Sequence, residues 1–426
     1  MADEWTVRSL EECMDALIDY RGKTPEKTSS GIPLITAKIV KGGRIETPDE
    51  FIGVNDYEPW MRRGIPKAGD VVVTTEAPLG EVAQLGAERV ALAQRLIALR
   101  GKEGLLDNGF LKFLMQSEDV QQQLRARASG TTVLGIKQSE LRKILLTLPP
   151  FDEQRAIAHI LGTLDDKSEL NRRRSETLEA MARALFKSWF VDFEPVRAKA
   201  EGRSPGLPAP LADLFPDSFE NSEPGEIPKG WQVRGLDEIA RFLNGLALQN
   251  YPPKDSRSLP VIKITQLRAG NTAGADAASV DLDQDYVIED GHVLFSWSGS
   301  LECVLWTGGS GALNQHLFKV TSTEYPKWFY YLWIHQHLAD FRHIAAGKAT
   351  TMGHIQRHHL SDAKVVVPEK DTIAAVSAVL SPLIERIIAT RVESRSLATL
   401  RDTLLPKLIS GELRVNGAER MIRGDV

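Results

Sequence analysis

The chain has 426 residues, of which 42% are hydrophobic and 26% charged, so it can form several packed domains and is too apolar for global disorder. Its net charge of −5, from 52 basic and 57 acidic residues, argues against a protein that coats DNA through bulk positive charge. Two distant cysteines, an acidic N-terminus without an apolar core, and no run of about 18–20 apolar residues predict a cytoplasmic protein without membrane contact.

Residues 1–150 have the pattern of a mixed α/β domain. Short branched apolar runs bounded by Gly, Pro or Asp predict strands at 32–40, 70–75, 92–99 and 144–148. Residues 110–128 carry apolar side chains at helical spacing and predict one helix.

A long helix is predicted next, over residues 151–201. Pro149 and Pro150 end the preceding strand, and Asp152 is a suitable N-cap. The helix carries an apolar seam with coiled-coil spacing, formed by Ile157, Leu161, Leu164, Leu178, Met181, Leu185 and Trp189. Residues 202–230 are rich in Pro, Gly and Ser and predict a linker.

The second half repeats this plan. Residues 231–369 predict a second mixed α/β domain, with a helix at 326–345 and strands at 261–266, 292–296, 315–320 and 364–367. Residues 370–414 predict a second long helix with a stripe of Val, Ile and Leu, and residues 415–426 a flexible tail.

The two halves are copies of one another. WTVRSLEE (5–12) recurs as WQVRGLDE (231–238), ALAQRLIAL (91–99) as ALNQHLFKV (312–320), and TTVLGIKQSEL (131–141) as TTMGHIQRHHL (350–360). The matches keep their order, with offsets between 219 and 227 residues. The sequence therefore predicts an α+β fold: two domains in a tandem pseudo-two-fold repeat, separated by two long antiparallel helices that form a coiled coil.

Three segments resemble type I restriction–modification specificity subunits. Residues 148–202 resemble the first conserved region of that family, above all in the Pro-Pro-x-x-Glu-Gln-Arg run (149–155) and in KSWFVDF (187–193). GEIPKGW (225–231) resembles the opening of the family's second recognition domain, and LLPKLISGELRV (404–415) the close of its second conserved region.

The resemblance implies a division of labour. Two target recognition domains each read one half of a split, asymmetric double-stranded DNA site, and the helices between them bind two methylation subunits. Those subunits hold S-adenosylmethionine and methylate adenine, and a motor-nuclease subunit cuts the DNA. The chain itself would hold no cofactor or metal and would not be an enzyme. The implied partner-binding residues are Gln154, Arg155, Arg172, Arg173, Trp189 and Phe190.

Two segments resemble catalytic motifs but lack a residue that the chemistry requires. LPPF (148–151) has Leu148 where an amino-methyltransferase needs a polar residue, and AGKAT (346–350) lacks the first glycine of a phosphate-binding loop. His335 and His337 diverge on a helix, which argues against zinc. A self-contained methyltransferase or nuclease, and a scaffold that binds only protein, remain alternatives.

Candidate DNA-binding residues come from two matched basic segments, residues 125–143 and 342–364, and from polar residues at strand ends. Arg pairs bidentately with guanine and Gln or Asn with adenine, and Thr, Lys and Arg bind phosphate. Base-reading residues should differ between the copies, because the half-sites differ. The candidates are Lys38, Arg62, Arg63, Gln94, Arg95, Thr131, Thr132 and Lys137 in the first copy, and Lys263, Gln266, Arg268, Asn314, Gln315, His316, Lys348, Thr350, Thr351 and Arg357 in the second.

Overall fold

The computed structural model of the chain describes residues 5–20, 25–223, 225–347 and 353–415. These form two compact units. The first combines Met1–Lys167 with Leu397–Val426, and the second is Ser168–Ser396. The division falls inside both long helices, Phe151–Phe186 and Lys370–Ile409.

The first unit contains short strands and helices before the long helix. Its helices are Leu10–Cys13, Tyr57–Trp60, Asn108–Gln116, Glu118–Arg127 and Gln138–Leu141. Its strands are Thr6–Ser9, Met14–Asp19, Ile32–Ile35, Val40–Lys41, Arg44–Ile45, Phe51–Ile52, Val71–Thr75, Leu79–Gln84, Ala91–Leu92, Leu96–Gly101 and Leu145–Leu148.

The centre of this unit is a four-stranded antiparallel sheet in the order Met14–Asp19, Leu96–Gly101, Val71–Thr75, Leu79–Gln84. Val71, Val72 and Val73 have no exposed surface, because β-branched side chains fill both faces of an inner strand. The strand Ile32–Ile35 pairs in parallel with Ala91–Leu92 at one side of this core.

The second unit has the same kinds of element. Its helices are Glu194–Ala200, Ala209–Ala212, Leu236–Ile239, Ile264–Ala269, Lys327–Ala346 and Arg357–Asp362. Its strands are Phe219–Ser222, Gly225–Pro228, Gln232–Gly235, Arg241–Asn244, Leu259–Ile262, Ala277–Ala278, Val287–Ile288, Val293–Ser296, Cys303–Leu305, Gly311–Leu313, Leu317–Thr321 and Lys364–Val367.

The strand pairings of the second unit repeat those of the first. The four-stranded antiparallel sheet has the order Arg241–Asn244, Leu317–Thr321, Val293–Ser296, Cys303–Leu305. Leu259–Ile262 pairs in parallel with Gly311–Leu313, as Ile32–Ile35 does with Ala91–Leu92. The registers also correspond: Leu99 faces Val71 in one sheet and Val320 faces Val293 in the other. The predicted duplication is therefore confirmed in the topology.

The long helices run antiparallel within each unit. In the first unit Arg401 Nη1 lies 3.0 Å from Asp165 Oδ1, and Arg414 Nη1 lies 2.8 Å from Glu153 Oε1. In the second, Asn171 Nδ2 donates to Glu393 Oε2 over 2.8 Å, and Arg391 Nη2 lies 2.6 Å from Glu179 Oε2. In both units the partner's residue number falls as the number on the first helix rises, which is the antiparallel direction.

The seam of the first long helix differs from its predicted course. Ile157, Leu161 and Leu164 are buried as predicted, but Met181 is 48% exposed and Ala182 lies in the core instead. In the polar middle of the helix the buried positions are taken by two polar residues, Asn171 and Ser175. The helical period of 3.6 residues moves the buried stripe away from Met181 over these turns.

The first long helix is also shorter than the predicted 151–201. It ends at Phe186, Lys187–Val191 form one π-helical turn, and Phe193 has a φ of 55° before a separate helix begins at Glu194. Pro195 lies in the first turn of that helix, where its missing N–H costs no hydrogen bond.

Four other predicted elements are interrupted for local reasons. The predicted strand 32–40 ends at Ile35 and is followed by a 3₁₀ turn, Ala37–Ile39. The predicted strand 92–99 is broken at Arg95, whose φ is 74°. The predicted helix 110–128 is two helices, because Ser117 has extended backbone and caps the second one through Val120 N. The predicted strand 261–266 ends at Ile262, and Ile264–Ala269 is helical.

Residues 202–230 are not an extended linker. They contain the helix Ala209–Ala212 and the hairpin formed by Phe219–Ser222 and Gly225–Pro228. Phe215 is 1% exposed and Ile227 is 5% exposed, and both belong to the hydrophobic core of the second unit. The Pro, Gly and Ser content of this segment predicts a linker, but its few apolar residues pack onto the domain and are removed from water.

One helix in the described part of the chain, Lys370–Ile409, is long and apolar enough by length and composition to cross a membrane. Its apolar residues contribute to the protein cores. Val376, Leu380 and Ile387 are fully buried in the second unit, and Leu404 and Leu408 are fully buried in the first.

Candidate nucleic-acid interface

Three loops meet at one edge of the first domain. Thr75 ends an inner strand, and its N–H donates to the carbonyl of Arg95 over 2.8 Å. The N–H of Ile136 donates to the carbonyl of Thr75 over 2.9 Å, and Glu76 pairs with Gly135 in an isolated bridge. The turn at Gln94–Arg95 and the segment 129–137 are thus fixed to the same strand end, although they are far apart in sequence.

The side chains at this junction are charged. Arg95 Nε lies 2.9 Å from Glu76 Oε1, and both side chains are close to half exposed. A Cβ on Gly135 would lie 3.3 Å from Glu76 Cβ, so the absence of a side chain at residue 135 leaves space for the carboxylate. The positive φ of Arg95 is unusual for a residue with a side chain and is a feature concentrated at functional sites.

The second domain builds the same junction from other side chains. The N–H of Trp297 donates to the carbonyl of His316 over 3.4 Å, and the N–H of Ile355 donates to the carbonyl of Trp297 over 3.0 Å. Ser298 Oγ lies 3.2 Å from His316 Nδ1, and Ser298 pairs with His354 in an isolated bridge. Ser298 and His316 therefore occupy the positions of Glu76 and Arg95.

The two junctions differ in the size and the charge of their side chains. The first has Glu76 opposite the small Gly135, whereas the second has the small Ser298 opposite His354. Trp297 takes the place of Thr75; its Nε1 donates to Asn244 Oδ1 over 2.9 Å, and its ring contacts those of His316 and His354. One surface offers a carboxylate and a guanidinium, and the other offers imidazoles, an indole and a hydroxyl. The shared backbone thus carries two different sets of hydrogen-bonding groups.

The structure brings several predicted DNA-binding residues to these junctions. In the first domain Arg95, Thr131, Thr132 and Lys137 are exposed there, and Gln94 is half-buried. In the second, Gln315 and His316 are half-buried, and the exposed Arg357 lies over the ring of Phe318 at 6.0 Å. Lys348, Thr350 and Thr351 lie outside the described residues.

Other predicted DNA-binding residues have structural partners. Gln266 is 5% exposed and bonds within its own helix turn and to Ala273, which leaves it no surface to present to DNA. Asn314 is 6% exposed, and its Oδ1 accepts from the N–H of His316, so it shapes the turn. Lys38 pairs with Asp49 and Lys263 with Asp276 in ion pairs whose side chains are about half exposed or more, so these lysines have acidic neighbours but stay accessible.

The arginines of this region differ in availability. Arg62, Arg63 and Arg268 are all exposed, and Arg63 Nη1 also donates to the carbonyl of Asp19 over 2.8 Å. In the predicted basic segment 125–143, Arg125 pairs with Glu118 and Arg142 with Glu11. That segment is therefore less positive on the surface than its composition suggests.

Two junction residues were missed in the sequence. Glu76 and Ser298 lie in loops that match between the copies, TTEAPLG (74–80) and SWSGSLE (296–302), but neither was identified as a candidate. Aligning the loops with the 222-residue offset places Glu76 on Ser298, and that non-conservative difference within a shared loop was the available signal.

The predicted partner-binding residues divide into two groups. Gln154 is 1% exposed; its Oε1 accepts from the N–H of Asp107, and its Nε2 donates to the carbonyls of Leu105 and Pro149. Trp189 packs on Phe215 and Phe190 on Trp231, both within the core of the second unit. The structure does not support partner contacts for these three, because their side chains are used internally.

The remaining three are accessible arginines on the first long helix. Arg155 is exposed, the side chain of Arg173 is 72% exposed, and Arg172 is partly covered by Glu169 and Glu176. The hydrogen bond from Arg172, together with that from Arg173, lowers the pKa of Glu169 to about 2. Arg172 is thus held in place, and Arg155 and Arg173 remain the accessible cations.

Within the residues that the structure describes, no group of three or more His, Cys, Asp and Glu side chains is arranged to hold a metal ion. Cys13 and Cys303 are both buried free thiols, and burial raises the pKa of each.

The family model for the type I restriction modification DNA specificity domain matches residues 2–180 and 228–394, which is most of the chain and both copies. The chain belongs to the type I restriction–modification specificity subunit family. The predicted family and fold class are confirmed. Specificity subunits are the DNA-recognition components of type I systems and act together with other subunits.

Relatives extend this result over the full length. The specificity subunit is 25% identical to the type I restriction enzyme MjaIX specificity subunit of Methanocaldococcus jannaschii, over 97% of this chain and 94% of that protein. It is 25% identical to the HindI specificity subunit of Haemophilus influenzae, over 71% of this chain and 77% of that protein. The crystal structure of the type I system S subunit from M. genitalium has the same fold, with a TM-score of 0.57 at 17% identity over 95% of this chain and 96% of that one.

Proposed function

We propose that this specificity subunit selects a bipartite, asymmetric DNA site, with each recognition domain reading one half. The observation that carries the proposal is the repeated three-loop junction, in which the same backbone contacts hold Glu76 and Arg95 in one domain and Ser298 and His316 in the other. A common frame with different hydrogen-bonding groups is what two unlike half-sites require, because sequence is read by side chains at base edges.

The chemistry of each junction favours different bases. A guanidinium at Arg95 can donate two hydrogen bonds to guanine, and a carboxylate at Glu76 can accept one from the amino group of cytosine. His316, Ser298 and Gln315 offer neutral donors and acceptors, and Gln pairs best with adenine. The exposed Thr131, Thr132 and Lys137 fit phosphate contacts that position the domain.

We further propose that the chain is not itself an enzyme and that methylation subunits supply the chemistry. S-adenosylmethionine and adenine methylation then belong to two methylation subunits docked on the long helices, with Arg155 and Arg173 as exposed contacts. Cleavage requires a further motor-nuclease subunit, and the complex works in the cytoplasm. An assembly of the specificity subunit with methylation subunits alone should therefore methylate its site but not cut it.

The helices also act as a spacer in this proposal. A rigid helical segment between two readers sets the distance between the half-sites that they can bind together. Inserting one turn, about four residues, into each long helix should change the spacer between the half-sites while both half-sites stay the same. An unaltered spacer would contradict this role.

The deciding experiment is a domain exchange. Residues 1–150 are replaced by the equivalent domain of a relative, and the methylated motif is determined by methylome sequencing of a host that carries the complete system. One half of the motif should change and the other should be retained. A change in both halves, or methyl transfer by the purified chain alone, would contradict the proposal.

A further inference from the structure

Two aliphatic side chains are exposed next to each other at the tip of the first domain's third loop. Val133 is 51% exposed and Leu134 is 52% exposed, in the segment Ser129–Gly135. Aliphatic groups of this size are normally stabilised by removal from water. An adjacent exposed pair on a functional loop therefore indicates a surface that a partner covers.

The loop cannot readily fold these side chains inward. The N–H of Ser129 donates to the carbonyl of Gly135 over 2.9 Å, and the N–H of Gly135 donates back over 3.0 Å, so the base of the loop is closed. Gly130 has a φ of 125°, and a Cβ there would lie 2.1 Å from the carbonyl oxygen of Val133. Beyond the loop, Ile136 is 3% exposed and is bonded to Thr75. The tip is thus held with Val133 and Leu134 facing outwards.

The charge and position of the tip favour DNA over protein as the partner. Residues 128–139 contain no Asp or Glu, and they include Lys137 and the hydroxyls of Thr131 and Thr132. The base of the loop pairs with Glu76, which contacts Arg95. The aliphatic pair is therefore carried by a loop whose base adjoins the residues proposed to read bases.

We propose that Val133 and Leu134 form an apolar wedge that enters the DNA at the first half-site and partly unstacks a base step. Aliphatic side chains inserted in this way kink duplexes, and the bend brings more protein surface to the DNA. This inference rests on the proposed function and adds a deformation of the duplex to direct base reading.

The wedge belongs to the first domain. The matched segments place Met352 and Gly353 of the second copy at the positions of Val133 and Leu134, so the second copy has one apolar side chain where the first has two. The carbonyl of Gly353 accepts from the N–H of Gly299 over 2.9 Å, which ties this position to the neighbouring loop. The two half-sites should therefore be deformed unequally, the first more than the second.

The test uses the specificity subunit reconstituted with its methylation subunits. Duplexes carry 2-aminopurine at successive positions other than the methylated adenine, and a fluorophore pair at the duplex ends reports bending. The native complex should raise 2-aminopurine fluorescence several-fold at one step of the first half-site. In V133S/L134S this signal should fall to that of free duplex, the bend should decrease, and the Kd should rise about tenfold.

Controls separate the wedge from its alternatives. V54S alters an aliphatic side chain that is 61% exposed elsewhere in the first unit and should behave as the native protein does. V133I/L134M keeps the tip apolar and should retain the fluorescence signal. Unchanged signals in V133S/L134S, or loss of methylation-subunit binding with DNA deformation intact, would overturn the wedge. Specific binding without unstacking in the native complex would refute the wedge alone, whereas no sequence-dependent binding would refute the proposed function.

Discussion

Arg95 and Glu76 form an ion pair at the edge of the first domain, and His316 and Ser298 replace them at the same edge of the second. The N–H of Thr75 donates to the carbonyl of Arg95, and the N–H of Trp297 donates to the carbonyl of His316. In each domain the donor is the residue just before Glu76 or Ser298. The duplication has thus preserved the frame and changed the groups that it presents.

Removing the Arg95 side chain should weaken recognition of one half-site only. R95G is the preferred variant, because glycine adopts the φ of 74° without strain and the turn is kept. Loss of one bidentate base contact should raise the Kd about 10- to 100-fold and relax the first half of the motif. H316A is the matched variant in the other domain and should relax only the second half, as measured by binding to a set of single-base variants of the site. Equal effects of both variants on both halves would contradict the assignment.

Neutralising Glu76 should strengthen non-specific binding to DNA. A carboxylate beside the DNA repels phosphates and holds Arg95 in place, so E76Q should bind random DNA more tightly and discriminate less between sites. The measurement is the ratio of non-specific to specific Kd at two salt concentrations, and this ratio should fall in E76Q. E58Q changes a 75% exposed carboxylate that is paired with Arg89 elsewhere in the first unit, and it should leave the ratio unchanged. An increase in the ratio for E76Q would contradict a role of Glu76 in discriminating between sites.

The buried polar layer between the long helices should lower stability while fixing their register. Asn171 is fully buried, its Oδ1 accepts no hydrogen bond, and the Oγ of Ser175 is also unpaired. N171L removes the unpaired Oδ1 at nearly constant volume, and the exposed Glu393 that loses the amide hydrogen bond can bind water instead, so the free energy of unfolding should rise by about 1 kcal/mol. N171A, which leaves a cavity, should lower it.

A single buried Asn specifies the register of a coiled coil. N171L should therefore allow the two long helices to shift along each other. Cysteine pairs placed on the two helices at the native register and one turn away would measure it. Cross-linking only at the native register in N171L would exclude a register role for Asn171.

Acid should destabilise the second unit through His335. Burial lowers the pKa of His335 to about 3, and Arg183, with its Nη2 3.5 Å from the ring Nε2, acts in the same direction. Glu179 and a backbone hydrogen bond with Cys303 act in the opposite direction. The unfolded chain binds a proton near the ordinary pKa of about 6.5, so stability falls as the pH decreases from there towards 3.

This histidine should account for up to about 2 kcal/mol of the stability lost between pH 7 and pH 5. H335Q should therefore lose less stability than the native chain over that interval in urea denaturation. The matched variant H159Q alters an exposed histidine on the first long helix and should follow the native curve. Parallel losses in H335Q and the native chain would contradict the role of His335.

The regular elements of the fold follow from local patterns in the sequence. Val71–Thr75 and Leu145–Leu148 were predicted as strands because branched apolar runs between turn residues leave few alternatives. The break at Ser117 was not predicted, although Ser is a strong N-cap, because the apolar spacing continues across it. Arg95 was selected as a candidate from its position at a strand end, but its partner Glu76 is nineteen residues away in sequence and was found only in the folded chain.

Gln154 shows a different limit. The resemblance marked it as a partner contact, yet its amide is saturated by Asp107, Leu105 and Pro149 inside the first domain. A motif identifies residues that matter without telling whether they face a partner or the interior. Gln266 and Asn314 were misassigned in the same way, since a polar side chain at a strand end can bond to its own backbone as well as to DNA.

The aromatic cluster of Phe190, Phe215 and Trp231 limits where genes of this kind can recombine. A crossover between the codons for residues 190 and 231 would combine cluster halves from different parents and leave large rings without matched neighbours. Viable hybrids should therefore have their junctions upstream, within the helix that ends at Phe186, so that the proline-rich segment is inherited together with the second recognition domain.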